Sequence, residues 1–427
     1  MTDPNEMSAA EAARAIAERR LSSEELVRAC LARIAARDAE VKAWSYVDPD
    51  QAIRAARELD KSPPRGPLHG VPIGIKDMID TADLPTQHNS AIYVGHRPGQ
   101  DAAVVAILRA AGAVILGKTD THEFAAGGRL PASRNPHNLA HTPGGSSSGS
   151  AAAVADHQVP LALGTQTAGS TIRPGSFCGI YAMKPTFGVV SREGAKLYSI
   201  GLDTIGWFGR SVADLGLLSD TFAVTRRPWS ARESVRGLRI AVCRTPYWSK
   251  ATPESQGAVE EAAERLAQAG ADVQRLDLPP GFATINDVQN IVMRGEGRAA
   301  FLAEYRRAYA LLDPEFRNRV EDADNITPER LCEAQDTLAR LRPIFDQMAG
   351  GFDAVLTPAA LGEAPPLSEN TTGDPTFSRL WTALHVPCVA LRWGKGPNDL
   401  PIGVQLVCPR YRDAGLLGVA AAMELLN

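Results

Sequence analysis

The sequence predicts an α/β fold, a single large domain organised around a mixed sheet with flanking helices. Three observations carry that reading. Short apolar strands alternate with helical patterns over most of the chain. No stretch of the 427 residues has the composition of a linker, so they read as one body. Hydrophobic residues make up 44% of the chain, enough to bury a large core.

The elements follow in order. Ser8 with Glu11 and Ser22 with Glu25 form capping boxes, in which a hydroxyl and a carboxylate satisfy N–H groups that a helix start leaves orphaned. Each leads into helical spacing of Ala, Leu, Val and Ile, so two short helices are expected in an N-terminal helical segment over 1–62. From Pro63 the character changes. Residues 71–76 read as a strand, Asp101 as the cap of an apolar helix ending near Gly112, and 113–116 as a short buried strand. Further strands are expected at 159–164, 238–242, 271–276, 352–357, 388–393 and 402–407. Stretches 253–269, 285–312 and 328–348 are helical and comparatively charged, so 250–350 is expected to form an outer layer or lid on a body spanning 63–427. There is no internal repeat and no low-complexity tract.

Composition removes several function classes. With 22% charged residues and a formal net charge of −4, the chain lacks the basic excess of a nucleic-acid binder. Its six cysteines (Cys30, Cys178, Cys243, Cys332, Cys388, Cys408) have no CxxC pairing or regular spacing, which points to neither a disulfide framework nor a zinc site. They are expected to be reduced and mostly buried. The N-terminus lacks the basic start and apolar run of a secretion signal, and no apolar stretch approaches a membrane span, so a cytoplasmic protein with no membrane partner is expected. No metal and no cofactor are expected.

Between 138 and 175 lie two segments too rich in small residues to serve as core: Gly144-Gly145-Ser146-Ser147-Ser148-Gly149-Ser150, then Gly164-Thr165-Gln166-Thr167-Ala168-Gly169-Ser170-Thr171-Ile172-Arg173-Pro174. Such segments let backbone N–H groups turn toward a ligand with hydroxyls beside them, which is what acyl transfer requires: a nucleophile and donors for an oxyanion. Two other motif matches are weaker on physical grounds. Residues 112–119 satisfy the P-loop pattern, but Ala113-Val114-Ile115-Leu116 is a strand whose N–H groups are committed to a ladder rather than free for phosphate. Gly145-Ser146-Ser147-Ser148-Gly149 satisfies G-x-S-x-G with Ser147 in the nucleophile position, but a nucleophile elbow must follow a strand directly. The approach through Asn138 to Pro143 is loop chemistry, and no Asp–His partner stands out among the eight histidines.

Joined to Gly70-Val71-Pro72-Ile73-Gly74-Ile75-Lys76-Asp77, the two small-residue segments resemble the amidase signature family of serine hydrolases, with Ala110-Ala111-Gly112-Ala113, Lys184-Pro185-Thr186, Leu202-Asp203-Thr204-Ile205-Gly206 and Leu400-Pro401-Ile402-Gly403-Val404-Gln405-Leu406 as further landmarks. The segments 165–170, 372–375 and 380–382 look closest to compact malonamidase-type members, although Gln166 stands where many members have Asp and Ala168 where many have Gly.

The resemblance implies a mixed twisted central sheet covered by helices on both faces. It also implies Ser170 as nucleophile, Ser146 as a bridging serine held after a cis peptide bond from Gly145, and Lys76 as base. The oxyanion donors would be the N–H groups of Thr167, Ala168, Gly169 and Ser170. A lysine can act as base only if burial lowers its pKa from about 10.4 toward 7 to 8, which Val71, Ile73 and Ile75 are placed to do. Thr165, Gly145 and Arg173 are expected around the substrate, Arg173 either pinning the loop through an ion pair or gripping a substrate carboxylate. The segment 124–134, Tyr198 and the region near Trp381 are expected as pocket walls. The implied reaction is hydrolysis of a small carboxamide to carboxylate and ammonia through an acyl-enzyme. The alternative is an amidotransferase A-type glutaminase that delivers ammonia to a partner in aminoacyl-tRNA synthesis. Relatives often form homodimers, and the same is expected here.

Overall fold

The computed structural model describes residues 3–427. Its centre is one sheet of eleven strands: β1 (Trp44–Val47), β2 (Pro72–Lys76), β3 (Val114–Thr119), β4 (Leu161–Gln166), β5 (Tyr181–Lys184), β6 (Thr204–Gly209), β7 (Arg239–Val242), β8 (Asp272–Arg275), β9 (Ala354–Pro358), β10 (Cys388–Lys395) and β11 (Pro401–Val407). Their spatial order is β1-β3-β2-β4-β6-β5-β10-β11-β9-β7-β8. The sheet is mixed: β3, β2 and β4 run parallel, as do β9, β7 and β8, while β6, β5, β10 and β11 join the two groups through antiparallel pairs.

Side-chain alternation along the strands divides the core in two. On β4, Leu161 and Leu163 enter one cluster and Ala162 the other. The first cluster takes in Val104 and Leu108 of the helix Ala103–Ala110, Leu215 of Val212–Thr221, Leu266 of Pro253–Gln268 and Leu417 of Asp413–Glu424. The second takes in Leu26 of Ser23–Val41, Ala152 of Ser148–Ala155, Ile172 of Ile172–Phe177, Phe345 of Pro328–Ala349 and Leu380 of Thr376–Ala383. Helices therefore cover both faces, as the resemblance implied. A third, largely aromatic cluster of Met78, Phe124, Tyr198, Phe301, Leu312, Phe316 and Val320 stands apart from both.

Both capping boxes form, at the starts of Ala9–Ala17 and Ser23–Val41. Asp101 does not cap its helix: the N-cap is Ala102, and the Asp101 carboxylate is occupied by the Ala82 N–H at 2.8 Å and by Arg109 at 2.9 Å. The expected helix over 285–312 is broken into Ile285–Ala300, Leu302–Ala308 and a 3₁₀ turn Tyr309–Leu311. Phe301 leaves helical geometry at the first break, and its ring is fully buried against Phe124 and Phe316. Five cysteines are buried and Cys332 is exposed, all of them free. Among the described residues no helix is long and apolar enough to cross a membrane.

Candidate active site

Parallel neighbours β2 and β4 end side by side, β2 at Lys76 and β4 at Gln166, and the loop leading into the helix Ser148–Ala155 crosses there. The three segments that the sequence singles out thus meet at the C-terminal ends of two interior strands. Ser146, Thr167, Ala168, Gly169, Ser170 and Arg173 line one cavity of about 180 Å³. The Gly145–Ser146 peptide is cis.

Lys76 is fully buried, and its Nζ lies 2.7 Å from Ser146 Oγ and 2.7 Å from Thr165 Oγ1. Burial holds its pKa well below the ordinary lysine value, with the negative charge of Asp203 opposing that shift. Comparison with the other buried lysines shows what is particular to it. Lys118 Nζ donates to the Ile79 carbonyl and lies 3.7 Å from Asp77, and Lys184 Nζ donates to the Val386 carbonyl. Carbonyls and carboxylates can only accept, so they favour an ammonium. The hydroxyls around Lys76 can both donate and accept, so they tolerate a neutral amine whose lone pair takes a proton.

The turn after β4 has an unusual polarity. Each of its carbonyls is bonded away: Thr167 O accepts from Gln289 Nε2 at 3.0 Å, Ala168 O from Thr382 Oγ1 at 2.8 Å, Gly169 O from Arg173 N at 3.1 Å and Ser170 O from Ser147 N at 3.4 Å. None of the N–H groups of Thr167 to Ser170 is taken by a backbone carbonyl among the described residues. In a trans peptide the C=O and the next N–H point opposite ways, so the outward carbonyls of Thr167, Ala168 and Gly169 leave the N–H groups of Ala168, Gly169 and Ser170 facing the cavity. Gly169 is required by close approach, since a Cβ there would meet Pro375 Cβ at 2.9 Å and Ser378 Cβ at 3.0 Å. Gln166, at the departure from the family pattern, starts the next helix: its Oε1 accepts from the N–H groups of Thr171 and Ile172 at 2.9 and 3.0 Å.

Two guanidinium groups face the cavity, Arg173 and Arg379. Arg173, only 4% exposed, donates through Nη2 to Gly145 O at 2.6 Å and to Thr372 Oγ1 at 3.4 Å, while its Nε and Nη1 have no partner among the described residues. Burial pulls its pKa down to about 10, which leaves it charged at neutral pH. The ion pair considered from sequence does not form among the described residues. Arg379 donates through Nη1 to Gln289 Oε1 at 2.9 Å and Asn290 Oδ1 at 3.3 Å, again without an ion pair among the described residues, although the charge of Asp374 acts on both guanidinium groups. His122, a further lining residue, is held to about 4 by burial and is neutral at pH 7.

Some expected residues sit elsewhere. Thr165 spends its hydroxyl on Lys76, and Gly145 gives its carbonyl to Arg173; neither lines the cavity. Of the expected walls, Ala125, Ala126 and Tyr198 line it, and the region near Trp381 contributes Pro375 and Arg379, while the Trp381 ring itself is fully buried against Phe345. Ser147 and Ser148 turn away, Ser147 Oγ donating to Thr165 O and Ser148 Oγ to Gly144 O. Sequence reasoning did not single out Met293 and Thr372 as lining residues, or Gln289 and Thr382 as supports of the turn.

Comparison with known proteins reaches the same place from another direction. The Amidase family profile matches residues 25–417. The A-type subunit of the Chloroflexus aggregans glutamyl-tRNA(Gln) amidotransferase is 34% identical over 99% of this chain and 97% of its own. The peptide amidase from Stenotrophomonas maltophilia superposes with a TM-score of 0.85 at 30% identity, covering 98% of this chain and 96% of that one. The A-type subunit of the Thermotoga maritima glutamyl-tRNA(Gln) amidotransferase gives a TM-score of 0.83 at 27% identity, covering 99% and 95%. The match runs nearly end to end and the same fold recurs in these solved structures, so the chain belongs to the amidase signature family and is an enzyme acting on carbon–nitrogen amide bonds.

Proposed function

We propose that the chain hydrolyses a small carboxamide bearing a carboxylate near the scissile bond, through an acyl-enzyme on Ser170. The observation that carries this reading is the Arg173 guanidinium, buried with Nε and Nη1 unpartnered at the cavity that Ser170 also lines. A buried guanidinium with no ion pair among the described residues is costly, the charge of exposed Asp374 acting on it only from beyond ion-pair distance, and a substrate carboxylate that accepts from one of the free nitrogens compensates it in a charge-assisted hydrogen bond.

Ser170 Oγ attacks the amide carbon as its proton passes to Ser146 and the Ser146 proton to neutral Lys76. The carbonyl oxygen becomes an oxyanion against the free N–H groups of Thr167, Ala168, Gly169 and Ser170. On collapse the C–N bond breaks, Lys76 returns its proton through Ser146 to the nitrogen, and ammonia departs. Water then attacks the acyl-enzyme by the same route and releases the carboxylate. No cofactor takes part.

The test is kcat/KM for an amide bearing a carboxylate and for a neutral amide of the same size. The wild type is expected to prefer the acid, and Arg173→Lys to lose about 10- to 100-fold more on the acid than on the neutral amide, the worth of one charge-assisted hydrogen-bonded contact. A wild-type preference for the neutral amide removes the carboxylate from this reading.

A second reading is favoured by the relatives: the chain serves as the A-type component of an amidotransferase, with glutamine as the amide and a partner receiving the ammonia. Glutamine carries both a primary carboxamide and a carboxylate, so the same cavity serves either reading. Ammonia release from small amides by the chain alone supports the first. Turnover restricted to glutamine and dependent on added partner subunits supports the second.

A further inference from the structure

Gln289 is fully buried in the helix Ile285–Ala300, and its side chain joins two parts of the cavity wall. Its Nε2 donates to Thr167 O at 3.0 Å, and its Oε1 accepts from Arg379 Nη1 at 2.9 Å. The orientation is forced. A flipped amide would set Nε2 against a guanidinium that only donates and Oε1 against a carbonyl that only accepts. Arg379 thus fixes the amide, and the amide fixes the plane of the Thr167–Ala168 peptide. A cation at Oε1 also polarises the amide and strengthens its Nε2–H as a donor.

We propose that Gln289 is a positioning residue, and that the chain Arg379–Gln289–Thr167 O aims the Ala168 N–H into the oxyanion site. Arg379 then has a role independent of substrate charge: it steadies the turn whether or not a carboxylate is bound. Thr382 braces the next peptide through Ala168 O, but its hydroxyl also takes the Gln166 amide at 2.9 Å, so Gln289 offers the cleaner probe. The inference rests on the reading of Ser170 as nucleophile and of the 167–170 N–H groups as oxyanion donors.

The probe is a small neutral alkyl fluorophosphonate, which needs neither a known substrate nor a carboxylate site. The Ser170 oxygen bonds to phosphorus, fluoride leaves, the serine proton passes to the base, and the phosphoryl oxygen gains charge where the oxyanion would. The second-order labelling rate therefore reports on the turn and the base without any substrate carboxylate. Gln289→Met is expected to slow it on the order of 10- to 100-fold, short of or at the loss from deleting one oxyanion donor, with the thermal unfolding midpoint checked in parallel. Gln289→Glu keeps length and pairs with Arg379 but cannot donate to Thr167 O, and it is expected to be as slow. Arg379→Met is expected to slow labelling by this neutral probe as well.

Labelling of Gln289→Glu at the wild-type rate, or an Arg379→Met variant labelled normally, overturns the proposal. Failure of the underlying reading looks different: Ser170→Ala would still be labelled, or the adduct would map to another residue.

Discussion

Replacing Ser170 with Ala is expected to abolish fluorophosphonate labelling and to lower amide turnover by at least about 10⁴-fold, the scale seen when a covalent nucleophile is removed. Three serines compete for this role in the loop and one follows β4, and their environments separate them. Ser147 and Ser148 are fully buried and spend their hydroxyls on the carbonyls of Thr165 and Gly144. Ser146 lines the cavity, but its hydroxyl is already bonded to Lys76. Ser170 lines the cavity at the end of a run of free N–H groups, so a carbonyl carbon beside it places its oxygen among donors. Peptide mapping of the labelled wild type is expected to place the adduct on Ser170; an adduct on Ser147 would revive the nucleophile-elbow reading and defeat this one.

Fold and site were legible to different depths, for physical reasons. Ser146 and Ser170 stand in short segments whose composition makes no sense as core, so those segments stood out locally, whereas Lys76 ends an apolar strand and entered through the family resemblance. The strands buried on both faces were harder. β5 and β6 lack period-two alternation because both their faces are covered, and the glycines of Thr204–Gly209 obscure it further. β1 is a four-residue edge strand, too short to show a pattern, and it brings the N-terminal segment into the main sheet through β3.

The supports of the site were not legible at all. Gln289 reaches Thr167 across 122 residues and meets Arg379 across another 90, and neither residue type nor spacing announces such a contact. Asp203 fell within a recognised landmark, yet its role is spatial: it accepts from Thr167 Oγ1 at 2.5 Å and from the Tyr198 N–H at 2.6 Å while its charge acts on Lys76. Arg173 was legible as a candidate, but only its burial and its unpaired nitrogens weight it toward a ligand.

Replacing Lys76 with Met is expected to lower kcat by about 10²- to 10⁴-fold, the usual contribution of a general base, and to change how stability depends on pH. With Lys76 as base the reacting form holds a neutral amine, so the rate is expected to fall as pH drops through the lowered pKa of Lys76. The acid limb of kcat/KM reports that step. The charge of Asp203 favours the ammonium, so Asp203→Asn, which keeps an acceptor for Thr167, is expected to move the limb to lower pH. A limb that stays in place assigns it to another group.

The stability sign follows from the same shift. The unfolded lysine titrates near 10.4, whereas the folded one titrates well below its ordinary value because burial disfavours the charge. Between those two pKa values the unfolded chain binds the extra proton, so the Lys76 contribution to stability rises with pH across that window, levels off above about 10.4, and is constant at its least favourable below the folded pKa. Methionine has no proton to lose and removes that slope. Unfolding midpoints of wild type and Lys76→Met, measured at neutral pH and again near pH 10, are therefore expected to shift relative to each other in favour of the wild type as pH rises. A difference between the two proteins that does not change with pH would mean Lys76 is buried as an ammonium, and an ammonium cannot take the proton from Ser146.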